Sequence, residues 1–545
     1  MRDLSSRCWL WGLLLTSSLC LFGIGSASAR AVDEVLVPPS PFKGFNGINF
    51  DPKGQLYVGS VIQQTTYRVN PVTGEYEVFL DRPFGQADDF LFTPNNQFFY
   101  TALLTGEVRN FDPQTGNFKT LASGISGIDA IAQNAEGRIF VAQSLSLQNT
   151  GLYELDPTGA TPPRLILNLP GLNAFEFGAD GLLYSPLQFT GEIVRINVDT
   201  GTVERVASGL VSPIAVKFNS KGELFALDSA TGQVLYVNTI TGQTQEKARL
   251  QPGLDNLAFG SNDLLYATNF VDSDINEVNT ETGKVRPVIK SSGLTSPGGI
   301  AAYGNSLYIA DAYSYRILDR LSGRILKTVR SIVTPLQFPL TVSINDQNAI
   351  TSSWFLGVVQ RLNRETGEVL DTYTGFSVPY DAVELADNSI VVADCARGQL
   401  IQILDKVGSN RRTVVEGLGC PTGLAKVDDS TVLVTEFLSN QLSRINLATG
   451  ERQVIATNLS SPEGVAYHSS GIAVVAEVGT QSLKAININT GRSFILKKNL
   501  PIGFEGPPDG PPPYGLTGIA IAGDTVYVTG DRDNSVRTVK LKKFP

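Results

Sequence analysis

The sequence predicts an all-β protein of twelve four-stranded propeller blades, and three observations carry that expectation. A five-residue turn signature returns along the whole chain at the length of one blade. The segments between its copies alternate apolar and polar residues. The composition, with 53 glycines and 29 prolines among 545 residues and 17% charged side chains, suits turn-rich β structure and disfavours long helices.

The signature reads Asn or Asp, two variable residues, Thr or Ser, then Gly. It begins at Asn70, Asp112, Asn197, Asn238, Asn279, Asp319, Asn363, Asn446 and Asn487, with degenerate copies at Asp156 and Asp405; successive starts lie 40 to 44 residues apart, the spacing of propeller blades. An Asx side chain bonds its own backbone two residues on, and the glycine accepts the positive φ that closes a short hairpin. A second turn lies upstream, as in Asp51–Gly54 and Asn219–Gly222, and joins an inner strand to one rich in β-formers such as Leu56-Tyr57-Val58. Each unit is therefore four strands, a to d, from the channel outwards.

Inner strands are expected to begin near Asn46, Asp88, Asp129, Asn173, Ile214, Asp255, Gly298, Leu340, Asp381, Thr422, Glu463 and Thr517. Rings close with about four to eight blades, so twelve divide into two six-bladed propellers in tandem, 30–292 and 293–545. The alternative is one large closed ring, because Ser291–Pro297 resembles every other inter-blade loop. The last blade runs out before its outer strand, and Glu34-Val35-Leu36-Val37 is free to supply it.

Residues 1–29 read as an export signal. Arg2 and Arg7 precede an apolar stretch from Cys8 to Ile24, and Ala27 and Ala29 give the small-x-small pattern of a cleavage site. A secreted or periplasmic location follows, with no stable membrane insertion after cleavage. A net charge of −9 without a basic stripe excludes nucleic acid as a partner, and no glycine-rich phosphate loop suggests a nucleotide cofactor. Once the leader is removed, Cys395 and Cys420 remain. One follows a strand b and the other precedes the next strand a, which places both on one rim, so a disulfide is expected; a reactive thiol is the alternative.

The rim where strands a begin and strands b end is where propellers take ligands. Five of the first six strand-a starts, Asn46, Asp88, Asp129, Asn173 and Asp255, carry short oxygen-bearing side chains; Ile214 is the sixth. Such a ring suits Ca²⁺ or another divalent cation, and the alternative is a polar channel bonded to neighbouring amides. The strand-b ends of the second half are Asp311, Ser353, Asp394, Glu436, Glu477 and Asp531. Asp381, Glu463 and Trp354 are secondary rim candidates, Trp354 as an apolar platform. His468, the single histidine, falls in an a–b turn away from the rim, which excludes histidine-based catalysis.

Pro297-Gly-Gly-Ile-Ala, Tyr308-Ile-Ala-Asp311, Pro462-Glu-Gly-Val-Ala466 and Asp531-Arg-Asp-Asn-Ser-Val-Arg537 resemble NHL repeats and the blades of gluconolactonase-like and strictosidine-synthase-like propellers. In NHL repeats, acids at the end of strand b brace the b–c loop, and the resemblance implies the same role for those of the second half. The resemblance implies a divalent ion held by Glu, Asn and Asp, with an Asp as general base. Asn46-Gly47 looks like that family's Asn-Gly, and Asp88 follows one blade later; Asn173 stands where the family has Glu. The expected function is an exported propeller that binds a small molecule or protein partner at its rim. The alternative is a metal-assisted hydrolase of the lactonase or esterase type, or another small-molecule biosynthetic enzyme, using Asp88.

Overall fold

The structure, a computed structural model, describes residues 34–144, 150–291, 293–507, 510 and 513–542; the expected leader, 1–29, lies outside them. The described residues form twelve four-stranded antiparallel sheets and one short 3-10 turn, Val478–Thr480. Each sheet is a blade that buries its two faces against its neighbours.

The signature turns work as their chemistry requires. In the first, the Asn70 side-chain oxygen accepts the N–H groups of Val72 (2.9 Å) and Thr73 (3.1 Å), Gly74 donates to the Asn70 carbonyl at 2.8 Å, and Gly74 sits at φ +75°. The same bonds recur at Asn197, Asn238, Asn279, Asn363, Asn446 and Asn487.

Two closed rings result. The inner strand of the first blade, Ile48–Phe50, packs on Leu254–Phe259 of the sixth. Here Ile48, Val58 and Tyr67 share a core with Ala258, Tyr266 and Ile275, and the Thr268 hydroxyl donates to the Asn46 carbonyl at 2.6 Å. Pro297–Tyr303 of the seventh blade packs on Ile519–Ala522 of the twelfth, and Thr529 donates to the Gly298 carbonyl at 2.7 Å. Comparable hydroxyl bonds reach the next inner strand from Ser352 (2.8 Å to Tyr380) and Thr435 (to Glu463).

The twelfth blade takes its outer strand from the beginning of the chain: Glu34–Val37 pairs antiparallel with Ser535–Lys540. The division at 30–292 therefore shifts at one point, because residues 34–37 belong to the second ring. The chain crosses between rings twice, through residues 38–45 and 290–296. Both crossings lie at one edge, where polar contacts join the rings. Arg316 there, almost wholly buried, pairs with Asp311 (2.6 Å), lies 3.4 Å from Asp272 and donates to the Val271 carbonyl (2.9 Å). Arg330 also pairs with Asp272. Buried Lys43 donates to Asn534 at 2.5 Å and lies over the Phe504 ring.

The inner strands of the second ring approach closely, and glycines permit it. A methyl group on Gly518 would stand 2.5 Å from the Gly298 carbonyl oxygen, and one on Gly464 2.3 Å from that of Thr517. Gly518→Ala is accordingly expected to cost about 1–3 kcal/mol by overpacking the closing seam, measured as a lowered midpoint of chemical denaturation; the exposed Gly523→Asn serves as a neutral control, its position being open and already in a left-handed conformation.

Candidate functional site: a cavity between two facing channel mouths

Eight of the twelve inner strands begin with a β-bulge, and in the second, third and sixth blades the bulge aims the site residues. In the second blade, Ala87 pairs with Ala102 and pairing resumes at Phe90, so Asp88 and Asp89 fall between; in the third, Ile128 and Ile131 are paired and Asp129 lies between. The sixth repeats this around Asp255, between Leu254 and Leu257. An extra unpaired residue turns its side chain out of the ladder, here into the channel mouth.

Asn46, Asp88, Asp129, Asn173, Ile214 and Asp255 all line one cavity of about 330 Å³. Its opposite wall comes from the second ring: Tyr313, Phe338, Trp354 and Phe355, with Phe504, Tyr514 and Leu516 from the connection that enters the last blade. The two mouths thus face each other. The aromatic rings form a connected belt: Phe270 to Tyr313 is 4.8 Å between centroids, Tyr313 to Phe338 5.8 Å, Trp354 to Phe355 6.1 Å and Trp354 to Tyr514 5.6 Å. Phe189 and Phe355, 46% and 48% exposed, mark where the cavity meets solvent, away from the joined edge.

Removal from water dominates the electrostatics at the acidic end. Burial pushes the Asp129 carboxyl up to about 7, although Asp88, Ser144 and Asn173 stabilise its charge. Burial, then the charges of Asp129 and Asp255, hold Asp88 well above the ordinary carboxylate range; burial and Asp129 do the same to Asp255. Like charges in an apolar wall cannot all ionise, so protons are shared among the three. Across the cavity, burial raises the Tyr313 hydroxyl, with Tyr514, Asp255 and Asp88 adding to the shift.

The asparagines do not offer the oxygens a calcium site needs. Asn46 Oδ1 accepts the Val61 N–H at 3.0 Å, and Asn173 Oδ1 accepts the Ala174 N–H at 2.7 Å. Backbone donors thus occupy both amide oxygens and leave each side chain its NH₂ as a donor: Asn173 Nδ2 donates to Gln188 Oε1 at 3.4 Å, and the two amides stabilise the charges of Asp129 and Asp255. An NH₂ repels a cation rather than ligating it. Among the described residues no group of three or more His, Cys, Asp or Glu could hold a metal ion. The expected donor set of Asn46, Asp88, Asp129, Asn173 and Asp255 does not fit a divalent ion.

The remaining candidates scatter. Asp381 lies one bulge position deeper, accepting the N–H groups of Leu424 (2.8 Å) and Ala382 (2.9 Å) beside a 60 Å³ void in the second channel. In the first ring Asp89 plays that part, accepting Ile131 N–H (3.1 Å), Phe90 N–H (2.8 Å) and the Asn256 amide (3.2 Å); it plugs the channel below Asp88. Glu463 accepts the Thr517 N–H at 2.7 Å and does not line the large cavity. Cys395 and Cys420 are bonded, sulfur to sulfur, at 2.10 Å, and His468 contacts Ser470 in an a–b turn.

The strand-b acids brace a different loop from the one expected. Asp311 accepts the N–H groups of Thr295 and Ser296 (3.0 and 2.6 Å), Asp394 those of Ser377 and Val378, Glu436 that of Gly419, Glu477 that of Ser460, and Asp531 those of Gly503 and Phe504. These amides belong to the loop entering the same blade's inner strand, because the end of strand b stands beside the start of strand a. Ser353 makes no such bond; its buried hydroxyl has no partner among the described residues.

Phe504, Tyr514 and Leu516 line the cavity without having been expected from the sequence. Their connection spans residues 498–518, where the preceding blade is entered through 457–461 alone; that excess length was the available signal.

No family model matches the chain, and no curated protein sequence matches it. Among solved structures, it is similar to a streptogramin B lyase at 17% identity over 54% of this chain and 95% of that one, with a TM-score of 0.38. It is also similar to virginiamycin B lyase from Staphylococcus aureus at 15% identity, over 50% and 95%, with a TM-score of 0.37.

Proposed function

We propose that this double propeller is an exported protein that binds a small, largely apolar molecule in the cavity between its two channel mouths. One observation carries the reading: bulge residues of one ring and an aromatic belt of the other wall a single space of about 330 Å³, the size and character of a small-molecule pocket. The Cys395–Cys420 bond and the leader-like first 29 residues support an oxidising compartment. The NHL and gluconolactonase-like resemblance supports a rim site of this kind. The metal-assisted hydrolase reading loses its donor set with the two asparagines.

Trp354 makes the proposal measurable. With Trp9 and Trp11 replaced by phenylalanine in the full chain, it is the sole tryptophan. Titration with the neutral dye N-phenyl-1-naphthylamine is expected to quench Trp354 saturably, at one dye per chain. Dye binding that leaves Trp354 emission unchanged, or no saturable binding, would reject the cavity as the site.

A further inference from the structure

Resting on that reading, we propose that the ligand is a cation: an ammonium group seated at Asp129, Asp88 and Asp255, carrying an apolar or aromatic body against the belt of the second ring. Among the described residues lining the cavity there are four aspartates and no Lys, Arg or His. Asp531 is satisfied by two backbone amides and has Lys43 nearby. The other three have no cation in the wall to neutralise them. Buried negative charge persists only where something compensates it, and here the protein supplies amides and a hydroxyl.

The opposite wall points to the same ligand. Aromatic faces attract ammonium groups through their quadrupoles, most strongly where water is excluded, and Phe338, Trp354, Phe355 and Tyr514 stand together there. An anion would meet three carboxyls, and a neutral hydrocarbon would leave them uncompensated. The ligand therefore pairs an ammonium end with an apolar or aromatic body.

Calorimetry on the full chain with two isosteric probes, benzyltrimethylammonium and neopentylbenzene, tests this. Their shapes match and only the charge differs. The cation is expected to bind at least tenfold more tightly than the hydrocarbon. Asp129→Asn and Asp255→Asn, which keep side-chain shape, are expected each to reduce that preference several-fold, with circular dichroism confirming the fold. Equal binding of the two probes would overturn the cation assignment while leaving the cavity as an apolar site. Displacement of the cation by micromolar Ca²⁺ would overturn it in favour of a metal. Binding of neither probe, with the naphthylamine dye still bound at Trp354, would also overturn it; failure of all three would reject the cavity itself.

Discussion

Asp129→Asn is expected to stabilise the folded chain by about 2–4 kcal/mol at pH 8 and by almost nothing near pH 4. The Asp129 carboxyl titrates at about 7 in the folded protein because burial outweighs the help of Asp88, Ser144 and Asn173; in the unfolded chain it titrates near the ordinary value of about 3.9. A carboxyl whose folded pKa is raised favours the native state relatively at low pH, below the unfolded value. That advantage is lost as pH rises from about 4 to about 7, because the unfolded chain ionises freely and the folded one does so only at a cost. Asparagine keeps the shape and removes the titration, and its carbonyl still accepts a hydrogen bond from protonated Asp88. Urea denaturation of both proteins at the two pH values measures the difference. Equal stability at pH 8, or a loss on substitution, would show that Asp129 is well solvated or compensated by a bound cation.

The second large effect lies at the joined edge. Arg316→Met is expected to destabilise the protein by about 3–5 kcal/mol, since it leaves Asp311 and Asp272 without their shared guanidinium. Asp311 is wholly buried and Asp272 mostly so. Arg330 still reaches Asp272, so the uncompensated charge is chiefly that of Asp311. Adding Asp311→Asn should recover part of the loss, because an asparagine carbonyl can still accept from Thr295 or Ser296. Calorimetric melting reads both the lower midpoint and any separation of the two rings into distinct transitions. No change in the single variant would mean that the pair contributes little to joining the rings.

How much of this was legible in the sequence follows from which features are local. Blade number was legible because every signature turn is built within five residues, Asn70 to Gly74 being the pattern. The strand-a residues were legible because the period places one at each inner edge. The bulges that aim Asp88, Asp129 and Asp255 were not, since nothing in Ala-Asp-Asp-Phe or Ile-Asp-Ala-Ile announces an unpaired residue. Nor was the orientation of the asparagine amides, which is set by the N–H groups of Val61 and Ala174. The facing of the two rings is the most distant relation of all. It rests on Lys43, Arg316 and Arg330, ordinary basic residues in sequence, and on a strand that returns across the chain from Glu34–Val37 to Ser535–Lys540.

The central claim is that residues of both rings hold one ligand. Its most direct test is to bind benzyltrimethylammonium to the full chain bearing Trp9→Phe and Trp11→Phe, reading affinity from Trp354 in the second ring, and then to change Asp129 in the first. The account predicts saturable quenching of Trp354 whose midpoint moves at least several-fold to higher concentration with Asp129→Asn. A midpoint that does not move, or a Trp354 that stays silent while calorimetry records binding, would contradict a shared site.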